Sequence, residues 1–219
     1  MTKTSPLSKL YLALVFVFLY APMVVMMVFS FNGTESTYIF DGFSLQWYEK
    51  LFHDRVTMDA LKNTVVLAVV SASIATVLGT LAAVGINSMR NKHIKSSVMT
   101  VTNIPMMNPE IVTGISLMLL FAYFKLQSGF LTLILAHITF CVPTVVLSVL
   151  PKLRQMNVSL YEAAMDLGAT PWQALTKVVV PQIMPGIISG ALIAFTMSFD
   201  DFIISYFVTG NGVSNISIT

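Results

Sequence analysis

The chain has 219 residues, 56% hydrophobic and only 10% charged, with a mean hydropathy of +0.80. That balance excludes a soluble domain with an ordinary charged surface and marks a membrane protein. A formal charge of +2 gives no basis for nucleic acid as a partner, and a single cysteine, Cys141, excludes a disulfide framework or a cysteine-rich metal site built within the chain.

Crossing about 30 Å of hydrocarbon takes roughly 20 mostly apolar residues, and lipid leaves helices as the way to satisfy such a backbone. Five runs qualify, at residues 10–31, 61–87, 98–124, 130–150 and 183–208. The first follows Lys3 and Lys9 as a signal peptide would, but its apolar run exceeds the roughly 7–15 residues of a signal core, so it reads as a retained span. After it comes an acidic loop with Glu35, Asp41, Glu49, Asp54 and Asp59, whereas Arg90, Lys92 and Lys95 follow the second run without an acid. The positive-inside rule therefore places the amino terminus, the Arg90 loop and residues 152–177 in the cytoplasm and the acidic loop outside. An odd number of spans leaves Thr219 outside, at the end of the polar stretch TGNGVSNISIT, which reads as a connecting loop before an expected sixth helix.

Within the second run, Gly79 and Gly85 with Ala82 and Ala83 supply a small-residue face for close helix contact. In the third, Pro105 and Pro109 of NIPMMNPEIVTGIS should kink or break the helix and free carbonyls to line a cavity beside Glu110. The fourth carries His137 and Cys141. His137, His53 and His93 are too scattered for a metal cluster and read as structural, and Cys141 has no basic neighbour to make a thiolate.

Residues 151–182 are too organised for a linker. Leu160, Ala163, Ala164 and Leu167 share one helical face, edged by Glu162 and Asp166, and Gly168 supplies the left-handed position that ends such a helix. Thr170 as N-cap, Pro171 at the first position and Gln173 three residues after the cap open a second helix, with Trp172, Leu175 and Val179 as its stripe and Pro181 and Pro185 setting its end. A short hairpin held under the membrane is either a structural elbow or a docking surface.

The fifth run contains SFDD, residues 198–201. A carboxylate at a helix centre costs about 2.5–3.5 kcal/mol, so such acids face a cavity or a partner and mark a path. Asp200, Asp201 and Glu110 have no Lys, Arg or His near them in sequence, which suggests that the missing positive charge is the substrate's. Successive helical residues point about 100° apart, so Asp200 and Asp201 cannot both face one pore, and one of them is left to cap a helix, bond a neighbouring helix or meet the partner subunit. Asp200 and Glu110 are the stronger path residues. A long dication would suit them, with Phe195, Phe199, Phe202, Tyr206 and Phe207 as walls for its methylenes.

EAAMDLGATPWQALTKVVVP resembles the EAA loop of permease subunits from bacterial ABC importers, with Glu162, Ala163, Ala164, Gly168 and Pro181 at the family spacing and Val178 and Val180 where Ile and Leu are usual. SFDDFIISYFVTG, LAHITFCVPTVVLSVLPKLRQM, NPEIVTGISLMLLF and YLALVFVFLYAPMVVMMVFSFN are similar to the PotC-type permease subunits of spermidine/putrescine ABC importers. The resemblance implies an all-α polytopic transmembrane bundle of the type I ABC importer permease kind, a single permease domain over 1–219 with the coupling loop at 151–182. It further implies a bacterial inner-membrane location and four kinds of partner: a second permease, two ATP-binding cassette subunits, an extracytoplasmic polyamine-binding protein and membrane lipid. ATP and Mg would be used by the ATPase, and this chain, which has no Walker-type motif, would bind no cofactor and perform no catalysis. Ferric ion and sulfate importers share the general scaffold. A membrane-embedded enzyme and an ion-coupled carrier are the rival classes, and neither accounts for the capped hairpin.

Overall fold

A computed structural model describes residues 6–36, 38–157, 159–210 and 213–219. Among these residues regular structure is helical, apart from an isolated antiparallel bridge between Asn32 and Phe43. The chain divides into two compact units, residues 1–58 and 59–219.

In the first unit, α1 (Pro6–Phe29) leaves large apolar side chains exposed on nearly every face. That is the pattern of a helix solvated by lipid rather than by a core. The loop beyond it is built around Asn32, whose side chain donates to the carbonyls of Ser36 at 2.8 Å and Ile39 at 2.7 Å and accepts the Asp41 N–H at 2.7 Å. Trp47 of α2 (Gln46–His53) donates its indole N–H to the Asn32 carbonyl at 2.8 Å, and Phe31 stacks on both Phe43 and Tyr48. Several backbone groups of the described loop residues thus have internal partners.

The second unit holds α3 (Arg55–Ser88, from Asp59), α4 (Lys92–Met107), α5 (Glu110–Tyr123), α6 (Phe130–Gln155), α7 (Ser159–Asp166), α8 (Pro171–Ala174), α9 (Val180–Phe199) and α10 (Ile203–Val208). Its core centres on α6, where Leu133, Ala136, Val145, Val146 and Val149 are buried. Lipid is as apolar as valine, so close packing rather than escape from water holds such helices together. Val145 shows the device: a side-chain carbon on Gly79 of α3 would lie 2.6 Å from its Cβ, and one on Gly190 of α9 would lie 3.2 Å from its Cα. Gly85, expected to share in this contact, has nothing within 4 Å of the corresponding position.

Among the described residues four helices are long and apolar enough to cross a membrane, and a bent pair makes up to five. Two of the five expected runs differ from straight spans. The third is α4 and α5, meeting at 105° across Asn108 and Pro109, because the residue before a proline is driven to extended backbone and Asn108 has ψ 143°. The fifth begins earlier and breaks sooner: one helix runs from Pro171 to Phe199, and the chain resumes as α10 after Asp200, Asp201 and Phe202. Pro181 and Pro185 therefore do not end the hairpin's second helix. A π turn over Leu175–Val179, in which the Val180 N–H reaches back to the Leu175 carbonyl, resets the register and puts Pro181 in the first turn of α9, where a missing N–H is tolerated.

Candidate functional site

The two broken helices converge. Glu110 opens α5 immediately after the Pro109 break, is exposed, and lines a cleft of about 280 Å³ with Pro105, Asn108, Thr113, Phe140, Met197 and Ile204. Met197 lies just before the α9–α10 break and Ile204 just after it, so the break that carries the acid pair borders the Glu110 cleft. The approach is tight: a side-chain carbon on Gly114 of α5 would lie 3.0 Å from Phe207 and 3.5 Å from the Ile204 Cα of α10.

The neighbouring carboxylates have opposite fates. Asp200 ends α9 with ψ near 0° and is exposed. Asp201 is 8% exposed and turned inward, where it caps α10 by accepting the N–H of Ile204 at 3.3 Å and of Ser205 at 2.8 Å. The expectation that no basic side chain lies near these acids fails for Asp201. His137, distant in sequence and without exposure, brings its Nε2 to 3.5 Å from Asp201 Oδ2. The aromatic walls also differ from expectation. Phe195 and Phe199 stack on each other, Phe202 and Tyr206 are half or more exposed, and the ring that lines the cleft is Phe140 of α6. Phe140 and Met197 carry no signal in the sequence, because no local pattern marks a cleft assembled from five separate helices.

The hairpin follows its sequence grammar closely. Gly168 has φ +87°, its N–H bonds the Met165 carbonyl at 2.9 Å, and the Ala169 N–H bonds the Ala164 carbonyl at 3.0 Å, which together make a Schellman end to α7. Thr170 and Gln173 form the capping box, with Thr170 N–H donating to Gln173 Oε1 at 2.9 Å and Gln173 N–H to Thr170 Oγ1 at 3.3 Å. Tyr161, Leu175 and Val179 pack on the core, while Leu160, Glu162, Ala163, Leu167 and Trp172 are exposed, and so is Pro181. The hairpin therefore presents apolar side chains outward, Leu167 at 89% and Trp172 at 66% exposure.

Residues 75–219, which include the broken helices and the hairpin, match the family described as binding-protein-dependent transport system inner membrane component. The chain belongs to this family. It is a multi-pass inner-membrane permease subunit of an ABC importer. The permease is 38% identical over 218 residues to the putrescine transport system permease protein PotI of Escherichia coli (strain K12), covering 97% of this chain and 78% of that protein. It is 37% identical to the spermidine/putrescine transport system permease protein PotC of the same strain, over 91% of this chain and 75% of that one, and 36% identical to PotC of Haemophilus influenzae, over 93% and 79%. Its fold matches a crystal structure of a bacterial alginate ABC transporter in complex with an alginate pentasaccharide-bound periplasmic protein, with TM-score 0.71, 20% identity, and 96% of this chain and 78% of that chain covered.

Proposed function

We propose that this permease carries polyamines, spermidine or putrescine, across the inner membrane in an importer driven by a separate ATPase. What supports the reading most is an exposed carboxylate, Glu110, in a cleft walled by Phe140, Met197 and Ile204 beside the Asp200 break, in a chain whose relatives are named for putrescine and spermidine transport. An ammonium needs an acidic partner, and the methylenes between ammoniums tolerate the apolar wall. Glu110 and Asp200 are the path residues in this reading, and Asp201 contributes through the break it caps.

The hairpin couples transport to ATP hydrolysis. Glu162 pairs with a basic residue of the ATPase, Ala163 and Ala164 allow close approach, Gly168 makes the turn between the hairpin's helices, and Pro181 lies exposed where the second of them continues into α9. Two ATP-binding cassette subunits, a second permease and an extracytoplasmic polyamine-binding protein complete the assembly, with ATP and Mg held by the ATPases. Closure of the ATPases draws the hairpins together and exchanges outward for inward access. In this reading the amino terminus and the hairpin lie in the cytoplasm, which the positive charge of Arg90, Lys92 and Lys95 supports.

The test is uptake of labelled spermidine and putrescine by cells lacking their own polyamine import and complemented with the operon encoding this permease. Uptake abolished by ATP depletion supports the proposal. Uptake that follows the proton gradient at full ATP indicates an ion-coupled carrier, and no polyamine uptake by an assembled complex indicates another solute, such as ferric ion or sulfate.

A further inference from the structure

Behind the acid pair lies a polar cluster that none of the preceding steps uses. His137 and Ser205 have no exposure, and Ser198 and Asn215 have 1% each. Buried polar groups are costly unless paired, and here one ring meets Ser198, Ser205 and Asp201 around the break. His137 Nδ1 lies 2.7 Å from Ser198 Oγ at the end of α9, and Nε2 lies 3.0 Å from Ser205 Oγ on α10 and 3.5 Å from Asp201 Oδ2 between them.

The partner set orders the protons. Asn215 Nδ2 donates to Ser205 Oγ at 2.8 Å, which leaves that hydroxyl free to accept or to donate, and an ionised Asp201 offers acceptors only, so the tautomer that serves both neighbours has its hydrogen on Nε2. Nε2 then carries the hydrogen and Nδ1 accepts the Ser198 hydroxyl. Were the helix to close over the break instead, each successive residue would turn by about 100° and both carboxylates would move. The Asp201 cap alone opposes this from within the chain segment, while His137 opposes it from α6.

We propose that His137 is a positioning residue that locks the α9–α10 break, keeping Asp201 inside and Asp200 on the exposed side between the cleft-lining Met197 and Ile204. Its consequence for transport rests on the cleft being the solute path, but the lock itself does not. Two readouts on the full complex separate them. In uptake of labelled putrescine, His137→Ala and His137→Asn lose about tenfold, whereas His137→Gln, whose amide nitrogen reaches the Nε2 position, stays within about threefold of wild type. In a Cys141→Ser background carrying Asp200→Cys, labelling of this chain by a membrane-impermeant thiol reagent changes about fivefold in rate with His137→Ala and returns with His137→Gln.

Ser205→Ala reproduces the histidine effect and Ser198→Ala is milder, so the prediction stands even if His137→Ala does not assemble. Rescue by Asn but not Gln, or one labelling rate in all variants, overturns the lock. If the wild-type complex takes up no putrescine, the polyamine reading falls and the labelling experiment still decides the lock.

Discussion

Two adjacent residues of the same kind, Asp200 and Asp201, receive different tasks because a helix ends between them. Asp201 spends both oxygens on backbone N–H groups of α10, the work an N-cap performs. Asp201→Asn keeps one of the two acceptors and should support a correctly assembled complex, whereas Asp201→Ala removes both and should lose about 1 kcal/mol of local stability, seen as a lower unfolding temperature in detergent. Outside the membrane, Asp54 shows the same chemistry between α2 and α3. The Thr57 hydroxyl, and after it the Val56 N–H, hold its carboxyl below the usual 3.8. A depressed value in the folded state contributes stability that is present above the unfolded value and lost as pH falls through the folded one. Thr57→Val should therefore raise the Asp54 value toward 3.8, measured by carboxyl NMR titration. At this scale the sequence showed the acids but hid His137. Its partners lie 61 and 68 residues away, and an isolated histidine in an apolar run carries no local signal of such a reach.

Elements were legible where local chemistry decides them. The hairpin could be read almost residue by residue, since Gly168, Thr170 and Gln173 act on their immediate neighbours. Gly168→Ala places a side chain at φ +87° and should cost about 1–2 kcal/mol, loosening the hairpin and lowering uptake at unchanged membrane levels, measured by transport and immunoblot. Pro181 and Pro185 differ from expectation, and Pro109 does not, because a proline's effect depends on register. A π turn upstream makes Pro181 harmless, while Pro109 breaks its helix outright. Small residues were ambiguous for a related reason: Gly79 meets Val145, but Gly85 faces open space, and which of the two touches a neighbour is set by the partner helix. Gly79→Leu should abolish assembly, and Gly85→Ala should leave the amount of permease in the membrane unchanged.

At the scale of the whole molecule, two features bear on transport. At one, broken helices bring an exposed carboxylate and an acid-bearing break to a common cleft; at the other, a rigid hairpin offers Leu167 and Trp172 outward. One helix continues from Pro171 in the hairpin through the π turn and α9 to the break after Phe199, so the hairpin and the break lie on one continuous element. Composition alone established a membrane protein, but the cleft was out of its reach, because its walls come from α4, α5, α6, α9 and α10 together. The decisive measurement is uptake of labelled putrescine by the complete complex, wild type beside Glu110→Gln and Asp200→Asn, with membrane levels and basal ATP hydrolysis recorded in each. The account predicts ATP-dependent uptake that falls about tenfold or more in both variants while the assembled complex persists. Undiminished uptake in both variants would contradict the acidic path.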